Sequence, residues 1–132
     1  MVEIFDIRAN QWRAGPSLRS VRSGAGVTVC NGSLVVVGGH HGANIHQSAE
    51  VLVDGEWQEI SGMTVGRRNA AVIAVNEHVF AVGGDDGSSN LKTIECIQLP
   101  KDGYEASHWN ILETRMPQGR SYAGITLLSK GE

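Results

Sequence analysis

The chain contains LVVVGG at residues 34–39 and the related VFAVGG at residues 79–84, which lie 45 positions apart. In both stretches a short apolar run ends on a pair of glycines. Other residues recur at the same spacing: Trp12 and Trp57, Leu18 and Met63, Arg22 and Arg67, Ala25 and Ala70, Val27 and Val72, Asn31 and Asn76, and Gly42 and Gly87. A third, partial copy follows an insertion of about eight residues and contains Trp109, Met116, Arg120, Ala123 and Ile125. A period of this length indicates a repeat architecture.

Each repeat predicts four short strands. In the first complete copy they cover residues 25–30, 34–37, 48–53 and 56–60, with Asn31-Gly32 and Asp54-Gly55 as two-residue hairpin turns. In the second copy they cover residues 70–75, 78–82, 93–99 and 108–112. No stretch has an apolar period of 3.6 residues, so we expect almost no helix.

A four-stranded sheet of this size cannot bury both of its faces alone and must stack on similar units. Radial stacking around a channel gives a propeller, typically with about 4–8 blades. The glycine pairs would allow close approach of neighbouring backbones, and the recurring tryptophan would fill space between the blades.

The ordered set of residues resembles the kelch motif over essentially the whole chain. The set is a glycine pair, a glutamate on the next strand (Glu50, Glu95), a tryptophan, and then Met63 with Arg67 or Met116 with Arg120. The resemblance predicts an all-β fold of four-stranded antiparallel blades from a kelch β-propeller, about two and a half blades in number. It implies a structural role for Gly38, Gly39, Gly83, Gly84, Trp12, Trp57, Trp109, Glu50 and Glu95.

The repeat phase predicts one partial kelch-repeat domain over residues 1–132. Residues 1–18 would end one repeat, 19–63 and 64–116 would form two more, and 117–132 would start another, with a first strand at 122–128. The resemblance implies a closed ring, because kelch propellers have six, sometimes five or seven, blades. We therefore expect a fragment of a longer protein; an assembly of several chains is the alternative. Open blade faces would favour self-association.

Composition argues against two classes of partner. The net charge is −3, and no basic stretch could follow a phosphate backbone, so we expect no nucleic acid. No apolar run reaches the length of about 18 residues that a membrane-spanning helix needs.

The first residues lack the features of a signal peptide, so we expect a cytoplasmic protein. Cys30 and Cys96 are interpreted as small buried hydrophobes, with a disulfide or a reactive thiol as the alternatives.

The polar loops contain no recognisable catalytic set. Residues 40–46 hold three histidines, which could bind zinc but fit no closed structural site, so a solvated loop is favoured. Asp85-Asp86-Gly87 is like part of a calcium loop but lacks the other carboxylate ligands, which favours a polar turn. We expect no catalytic residue, no metal and no cofactor.

The recurring arginines have two interpretations. They could brace the fold through salt bridges or backbone contacts, or they could form an arc of cations for an acidic peptide segment. The recurring arginines lie in the loop between the fourth strand of one blade and the first strand of the next. In kelch adaptors of ubiquitin ligases, this loop and the residue after the glycine pair line the substrate-binding face. The resemblance therefore implies partner binding by Arg22, Ser23, His40, Arg67, Arg68, Asp85, Arg120 and Ser121.

Two functions follow from these patterns. The first is a kelch protein–protein interaction module without enzymatic activity. It could be the substrate-recognition part of a ubiquitin-ligase adaptor or an actin-binding, actin-associated kelch protein. The alternative is a piece of a kelch-propeller enzyme or metal-dependent modifier of the galactose-oxidase, mutarotase or specifier type. Stoichiometric iron, copper or zinc in the purified protein would favour that alternative.

Overall fold

The computed structural model describes residues 1–101 and 107–130, and these residues form an all-β fold. The strands are β1 (Val2–Asp6), β2 (Gln11–Gly15), β3 (Gly26–Cys30), β4 (Ser33–Val37), β5 (His40–His41), β6 (Asn44–Ile45), β7 (Ala49–Val53), β8 (Glu56–Ile60), β9 (Ala71–Val75), β10 (His78–Val82), β11 (Ile94–Gln98) and β12 (Asn110–Ile111). Within the described ranges there is no helix of the length and hydropathy needed to cross a membrane.

Two four-stranded antiparallel sheets form the body of the chain. Blade one has the strand order β3-β4-β7-β8, and blade two has the order β9-β10-β11-β12. Strands β1 and β2 form a separate hairpin, and β5 and β6 form a short hairpin at one end of blade one. The prediction of four-stranded antiparallel kelch blades is therefore confirmed.

Turn chemistry explains the strand connections. Asn31 and Gly32 have φ values of 51° and 79°, and Asp54 and Gly55 have values of 49° and 81°. Two consecutive residues with positive φ define the hairpin turn whose twist matches that of the flanking strands, and Asn, Asp and Gly adopt it most readily. These turns set the register in which Cys30 pairs with Ser33 and Val53 pairs with Glu56.

The hydrophobic core lies between the two blades. Strand β3 of blade one packs directly on β9 of blade two. A Cβ atom at Gly26 would overlap the side chain of Val72, so the glycine makes room for the valine. Beside this contact, the Ala74 N–H donates a 3.1 Å hydrogen bond to Thr28 Oγ1. Buried side chains from both blades complete the core: Val35, Val37, Val51, Met63, Val79, Ala81, Ile97, Leu99 and Trp109.

Two strand predictions differ from the structure, and one hairpin was not predicted. The strand predicted at 108–112 is shortened to β12, Asn110–Ile111. The strand predicted at 122–128 is described but pairs with no other strand of the described chain. Without a ladder of hydrogen bonds, an extended segment does not qualify as a strand. The β5–β6 hairpin was not predicted, and residues 102–106 of the insertion lie outside the described residues.

Candidate partner-binding surface at the loop end of the blades

The end of the blades at which β4 and β10 finish is called the loop end. It comprises residues 19–25 and 38–47 in blade one, residues 64–70 and 83–92 in blade two, and residues 117–122. All eight residues predicted to bind a partner lie there. Backbone hydrogen bonds join four of them in pairs. Ser23 and His40 exchange two N–H to carbonyl bonds of 2.8 Å, and Arg68 and Asp85 exchange two of 3.0 and 2.9 Å.

The glycine pairs hold these loops close to the blades. Gly39 and Gly84 have φ values of 89° and 88°, a region that residues with a side chain rarely adopt. A Cβ atom would lie 2.7 Å from the Ser23 carbonyl oxygen at Gly39 and 2.8 Å from the Arg68 carbonyl oxygen at Gly84. Both glycines also donate their N–H to the carbonyl of a recurring arginine: Gly39 to Arg67 at 2.8 Å and Gly84 to Arg120 at 2.9 Å.

Arg22 is bound inside blade one. Its Nε donates to Glu50 Oε2 at 2.9 Å, and both side chains have zero exposure. Its Nη1 donates to the carbonyls of Gly38 and Ser48 at 2.8 and 2.9 Å, and its Nη2 donates to Ser48 Oγ at 2.8 Å. The second oxygen of Glu50 accepts a 2.6 Å bond from the Arg19 N–H. Arg22 thus ties its loop to two strands of the blade.

Arg67 repeats the same arrangement in blade two. Its Nη2 lies 2.9 Å from Glu95 Oε2, and both side chains are fully buried. Its Nη1 donates to the carbonyls of Gly83 and Thr93 at 2.8 and 3.0 Å, and its Nη2 also donates to Thr93 Oγ1 at 2.8 Å. The N–H of Thr64 donates to Glu95 Oε1 at 2.8 Å. The network is the same as that of Arg22, shifted by one repeat.

These networks correct the expected arc of cations. The guanidinium groups of Arg22 and Arg67 have no exposed surface and bind carboxylates within their own blades. A partner could reach them only by leaving Glu50 or Glu95 buried and unpaired, which is costly. Between the two interpretations of these arginines, the structure therefore favours the bracing role for Arg22 and Arg67. Arg120 stands at the same repeat position and is exposed in the described chain.

The surface that remains at the loop end is polar and carries both signs of charge. Arg68 Nη2 lies 3.5 Å from Asp85 Oδ2, with side-chain exposures of 29% and 25%. Ser121 Oγ donates to Asn90 Oδ1 at 3.1 Å, and Ser23 is exposed. Arg68, Asp85, Arg120, Ser121, Ser23 and His40 form what we call the rim.

The acidic turn beside the rim is closed by its own backbone. Asp86 Oδ1 accepts hydrogen bonds from the N–H groups of Ser88 and Ser89 at 2.8 and 2.9 Å. These bonds favour the charged carboxylate and lower the pKa of Asp86. Asp85 Oδ1 accepts from the Gly87 N–H in the same way. The arrangement is that of a polar turn, and no group of three metal-ligating side chains is found in the described ranges.

The histidines of the β5–β6 hairpin do not converge on one point. His40 Nδ1 lies 3.0 Å from the carbonyl oxygen of Gly42, and His46 Nε2 lies 2.8 Å from that of Val21. His41 is exposed on the hairpin. These contacts fix the shape of a loop that projects beside the rim and contribute polar groups to its surface.

Tyr122 is a residue of this end that sequence reasoning missed as a site candidate. Its N–H donates to the Asn69 carbonyl at 2.9 Å, and the Asn69 N–H donates to the Gly24 carbonyl at 2.8 Å. The three residues occupy one repeat position and have φ values of 62°, 55° and 58° in chain order. Positive φ is uncommon for an aromatic residue. The hydrogen bond to Asn69 holds the backbone of Tyr122 in this conformation, and the Tyr122 side chain is exposed. The signal lies in the repeat, because Tyr122 stands at the position of Gly24 and Asn69, two residue types that adopt positive φ readily.

The tryptophans fasten consecutive repeats to one another. Trp57 Nε1 donates to the Pro16 carbonyl at 2.9 Å, and Trp109 Nε1 donates to the Ser61 carbonyl at 2.7 Å. Both are buried, whereas Trp12 is 67% exposed and packs on Phe5 with ring centroids 5.2 Å apart. The structural role of this repeat position is to bond to the preceding repeat, and in the described residues Trp57 and Trp109 fulfil it.

Both cysteines are free thiols in the structure. Cys30 is buried and Cys96 is partly buried, and burial raises the pKa of each thiol. A raised pKa keeps a thiol protonated and unreactive near neutral pH. The interpretation of the cysteines as small hydrophobes agrees with this environment.

Comparison with known proteins gives one family. The kelch motif matches residues 22–64 and 66–102. Kelch-like protein 9 of Mus musculus is 26% identical over 104 residues, which cover 72% of this chain and 16% of that protein. Kelch repeat-containing protein kel-10 of Caenorhabditis elegans is 35% identical over 79 residues, which cover 57% of this chain and 14% of that protein. An F-box/kelch-repeat protein of Arabidopsis thaliana is 28% identical over 112 residues, which cover 79% of this chain and 30% of that protein. The chain thus spans less than a third of the length of each of these relatives.

Proposed function

Because the chain belongs to the kelch-repeat family, we propose that its loop end binds a protein partner as part of a substrate-recognition propeller in a ubiquitin-ligase adaptor. The coarser statement, that the chain is a protein-interaction module, is supported by the family and by the names of its relatives. We place the adaptor in the cytoplasm, and fractionation of cells that express it tests that placement.

The observation that carries the proposal is a contrast within the loop end. The buried frame is the same in both blades: arginine, glutamate and a glycine pair with matching hydrogen bonds. The rim positions that this frame supports differ from repeat to repeat. Ser23, Arg68 and Ser121 occupy one such position, and His40 and Asp85 occupy another. A rigid frame that presents different side chains on each blade is suited to reading the shape and charge of a particular protein.

The charges on the rim suggest how a partner is held. Arg68 is partly exposed and forms an ion pair with the partly exposed Asp85. An acidic side chain of a partner could bind Arg68 in place of Asp85, since an arginine fork pairs with a carboxylate through two hydrogen bonds. Asp85 could then accept a donor from the same peptide. We therefore propose an acidic peptide segment with at least one neighbouring donor as the recognised element.

A peptide library displayed on phage tests this proposal with a defined probe. We expect peptides selected on the chain to be rich in Asp and Glu. Arg68→Ala should weaken the binding of a selected peptide about tenfold, because a hydrogen bond to a charged group contributes about 1.5–3 kcal/mol and each 1.4 kcal/mol is a factor of ten. Calorimetry on the purified variants measures the loss.

The matched control removes a cation at the other end of the chain. Arg8 follows β1 in the turn of the β1–β2 hairpin and is exposed, so Arg8→Ala should leave peptide binding unchanged. If Arg68→Ala binds selected peptides as tightly as the original chain does, the rim is not the recognition surface. Stoichiometric iron, copper or zinc in the purified protein would instead favour the enzymatic alternative.

A further inference from the structure

The outer face of blade one is an apolar surface at the opposite side from blade two. Val27 and Val29 on β3 are 55% and 58% exposed, and Leu34 on β4 is also exposed. Together with Val2, Trp57 and other residues, Val27 and Leu34 line a groove of about 410 Å³ between the β1–β2 hairpin and blade one. Exposed apolar surface of this kind usually marks a site of association.

Blade two shows what covers such a face. Val72, Ala74, Val79 and Ala81 are the repeat equivalents of Val27, Val29, Leu34 and Val36. Val72, Val79 and Ala81 are buried, and Ala74 packs on the same core. Their neighbour in blade one is β3, where Gly26 leaves room for Val72 and Thr28 accepts the Ala74 N–H. A Gly-x-Thr segment is therefore the surface that fits against a Val-x-Val or Val-x-Ala strand in this chain.

The same Gly-x-Thr surface occurs a second time, and there it is uncovered. Gly124 and Thr126 occupy the repeat positions of Gly26 and Thr28. A Cβ atom built on Gly124 meets no other atom within 4 Å, whereas one on Gly26 would overlap Val72. The chain thus carries both halves of its own blade–blade contact, each of them exposed, on different ends of the molecule.

We propose that these two halves bind each other between two copies of this chain. Segment 122–128 of one copy lies in the groove of the second copy, with Gly124 against Val27. By the equivalence with the internal contact, the Val29 N–H of the second copy donates to Thr126 Oγ1 of the first. Within the chain, the Asn69 N–H donates to the Gly24 carbonyl and the Tyr122 N–H donates to the Asn69 carbonyl. The contact continues this series, because the Gly24 N–H of the second copy donates to the Tyr122 carbonyl of the first.

A second copy fits this groove better than a small apolar ligand does. The groove face combines apolar side chains with backbone donors at strand spacing, and an extended chain satisfies both at once. The contact is heterologous, because each copy uses a different surface at its two ends. This inference does not depend on the partner-binding role of the rim, which lies on other residues.

Sedimentation equilibrium on the original chain and three variants tests the contact. The original chain should associate, and Val27→Asp or Gly124→Val should each raise the dissociation constant by about tenfold or more, since each blocks one half of the contact. Gly124 is suited to the test because its φ lies outside the left-handed region, so a valine there does not strain the backbone. Gly62→Val is the matched control: a Cβ there would lie in ordinary contact, 3.5 Å from the Gln47 carbonyl oxygen.

Mixing the two blocked variants gives the sharper result. The Gly124→Val protein keeps an intact groove, and the Val27→Asp protein keeps an intact segment 122–128. A head-to-tail contact therefore predicts that the mixture forms mixed dimers although neither variant associates alone. A contact between two identical surfaces predicts no such rescue, and that result would overturn the proposal.

Cysteine cross-linking keeps the proposal testable if the chain aggregates. In a background with Cys30→Val and Cys96→Val, one protein carries Val27→Cys and the other carries Gly124→Cys. Oxidation of the mixture should give cross-linked dimers, and replacing Gly124→Cys by Gly62→Cys should abolish them. An original chain that stays monomeric at its solubility limit, or a mixture without the 27–124 cross-link, contradicts the proposed contact.

Discussion

Two adjacent arginines in blade two have opposite environments. Arg67 directs its guanidinium into the blade, where Glu95, Gly83 and Thr93 accept its hydrogen bonds. Arg68 directs its guanidinium to the rim, where Asp85 is a partly exposed partner. Burial of an ion pair is tolerated only when its polar atoms are fully hydrogen-bonded, and no buried side-chain nitrogen or oxygen of the described residues lacks a partner.

Replacing each arginine by alanine should therefore have very different effects on stability. Arg67→Ala leaves the Glu95 carboxylate buried without its cation, and we expect a loss of about 3–5 kcal/mol in the free energy of unfolding. Arg68→Ala removes a partly exposed pair and should cost about 0–1 kcal/mol. Urea unfolding followed by tryptophan fluorescence measures both. Equal losses in the two variants would show that Arg67 does not brace the blade.

The glycine pairs allow a second comparison at single residues. Gly84 and Gly55 both have positive φ, so an alanine strains the backbone at each by about 1–3 kcal/mol. At Gly55 the Cβ meets open space, but at Gly84 it lies 2.8 Å from the Arg68 carbonyl oxygen. Gly84→Ala should therefore lower the melting temperature well below that of Gly55→Ala. Similar melting temperatures would mean that backbone conformation alone explains the glycine.

Part of the arginine network could have been predicted from the sequence. Arg22 and Glu50 are separated by 28 positions, as are Arg67 and Glu95, and this constant spacing between opposite charges indicates a repeated pair. The repeat could not show how deep the pair lies, because a solvated ring of charges would have the same period. Burial depends on the packing of β4, β7 and the glycine pair around the side chain, and that appears only in three dimensions.

At the scale of elements, the strands with strong turn signals were predicted well. Asn31-Gly32 and Asp54-Gly55 fix the hairpins of blade one, and the repeat transfers the pattern to blade two. The β5–β6 hairpin was missed because residues 40–45 have no apolar alternation to mark short strands. Segment 122–128 has a strand-like composition, but a strand forms only where a neighbour supplies hydrogen bonds, and none of the described strands does so.

The tryptophans join one repeat to the next, and they differ in burial: Trp109 is buried and Trp12 is exposed. Trp109→Phe removes the 2.7 Å bond to Ser61 and leaves that carbonyl without its donor, which should cost about 1–3 kcal/mol. Trp12→Phe changes an exposed ring on the β1–β2 hairpin and should cost less than about 0.5 kcal/mol. Thermal unfolding of the two variants separates these roles. A comparable loss for Trp12→Phe would show that the β1–β2 hairpin is tied to the rest through its ring.

For the whole molecule, stability depends on how many neighbours each sheet has. In repeat proteins it is approximately the sum of the stability of each unit and of the interfaces between units. Strand β10 lies in the middle of this chain, and Val79 and Ala81 on it have zero exposure. Hairpin β1–β2 has only two strands and presents mostly exposed side chains. A two-stranded hairpin is marginally stable by itself.

Amide hydrogen exchange should therefore be graded along the chain. We expect the slowest exchange at β10 and at β11, where Ile97 is fully buried, and exchange by global unfolding there. Amides of β1 and β2 should exchange faster by local opening, and β3 should fall between them because only one of its faces is covered. Addition of urea at low concentration should accelerate exchange of the middle strands but change that of β1 and β2 little, since local opening exposes little new surface. Equal protection of β1 and β10 would mean that the chain unfolds as one cooperative unit, and the additive picture of blades and interfaces would then fail for this protein.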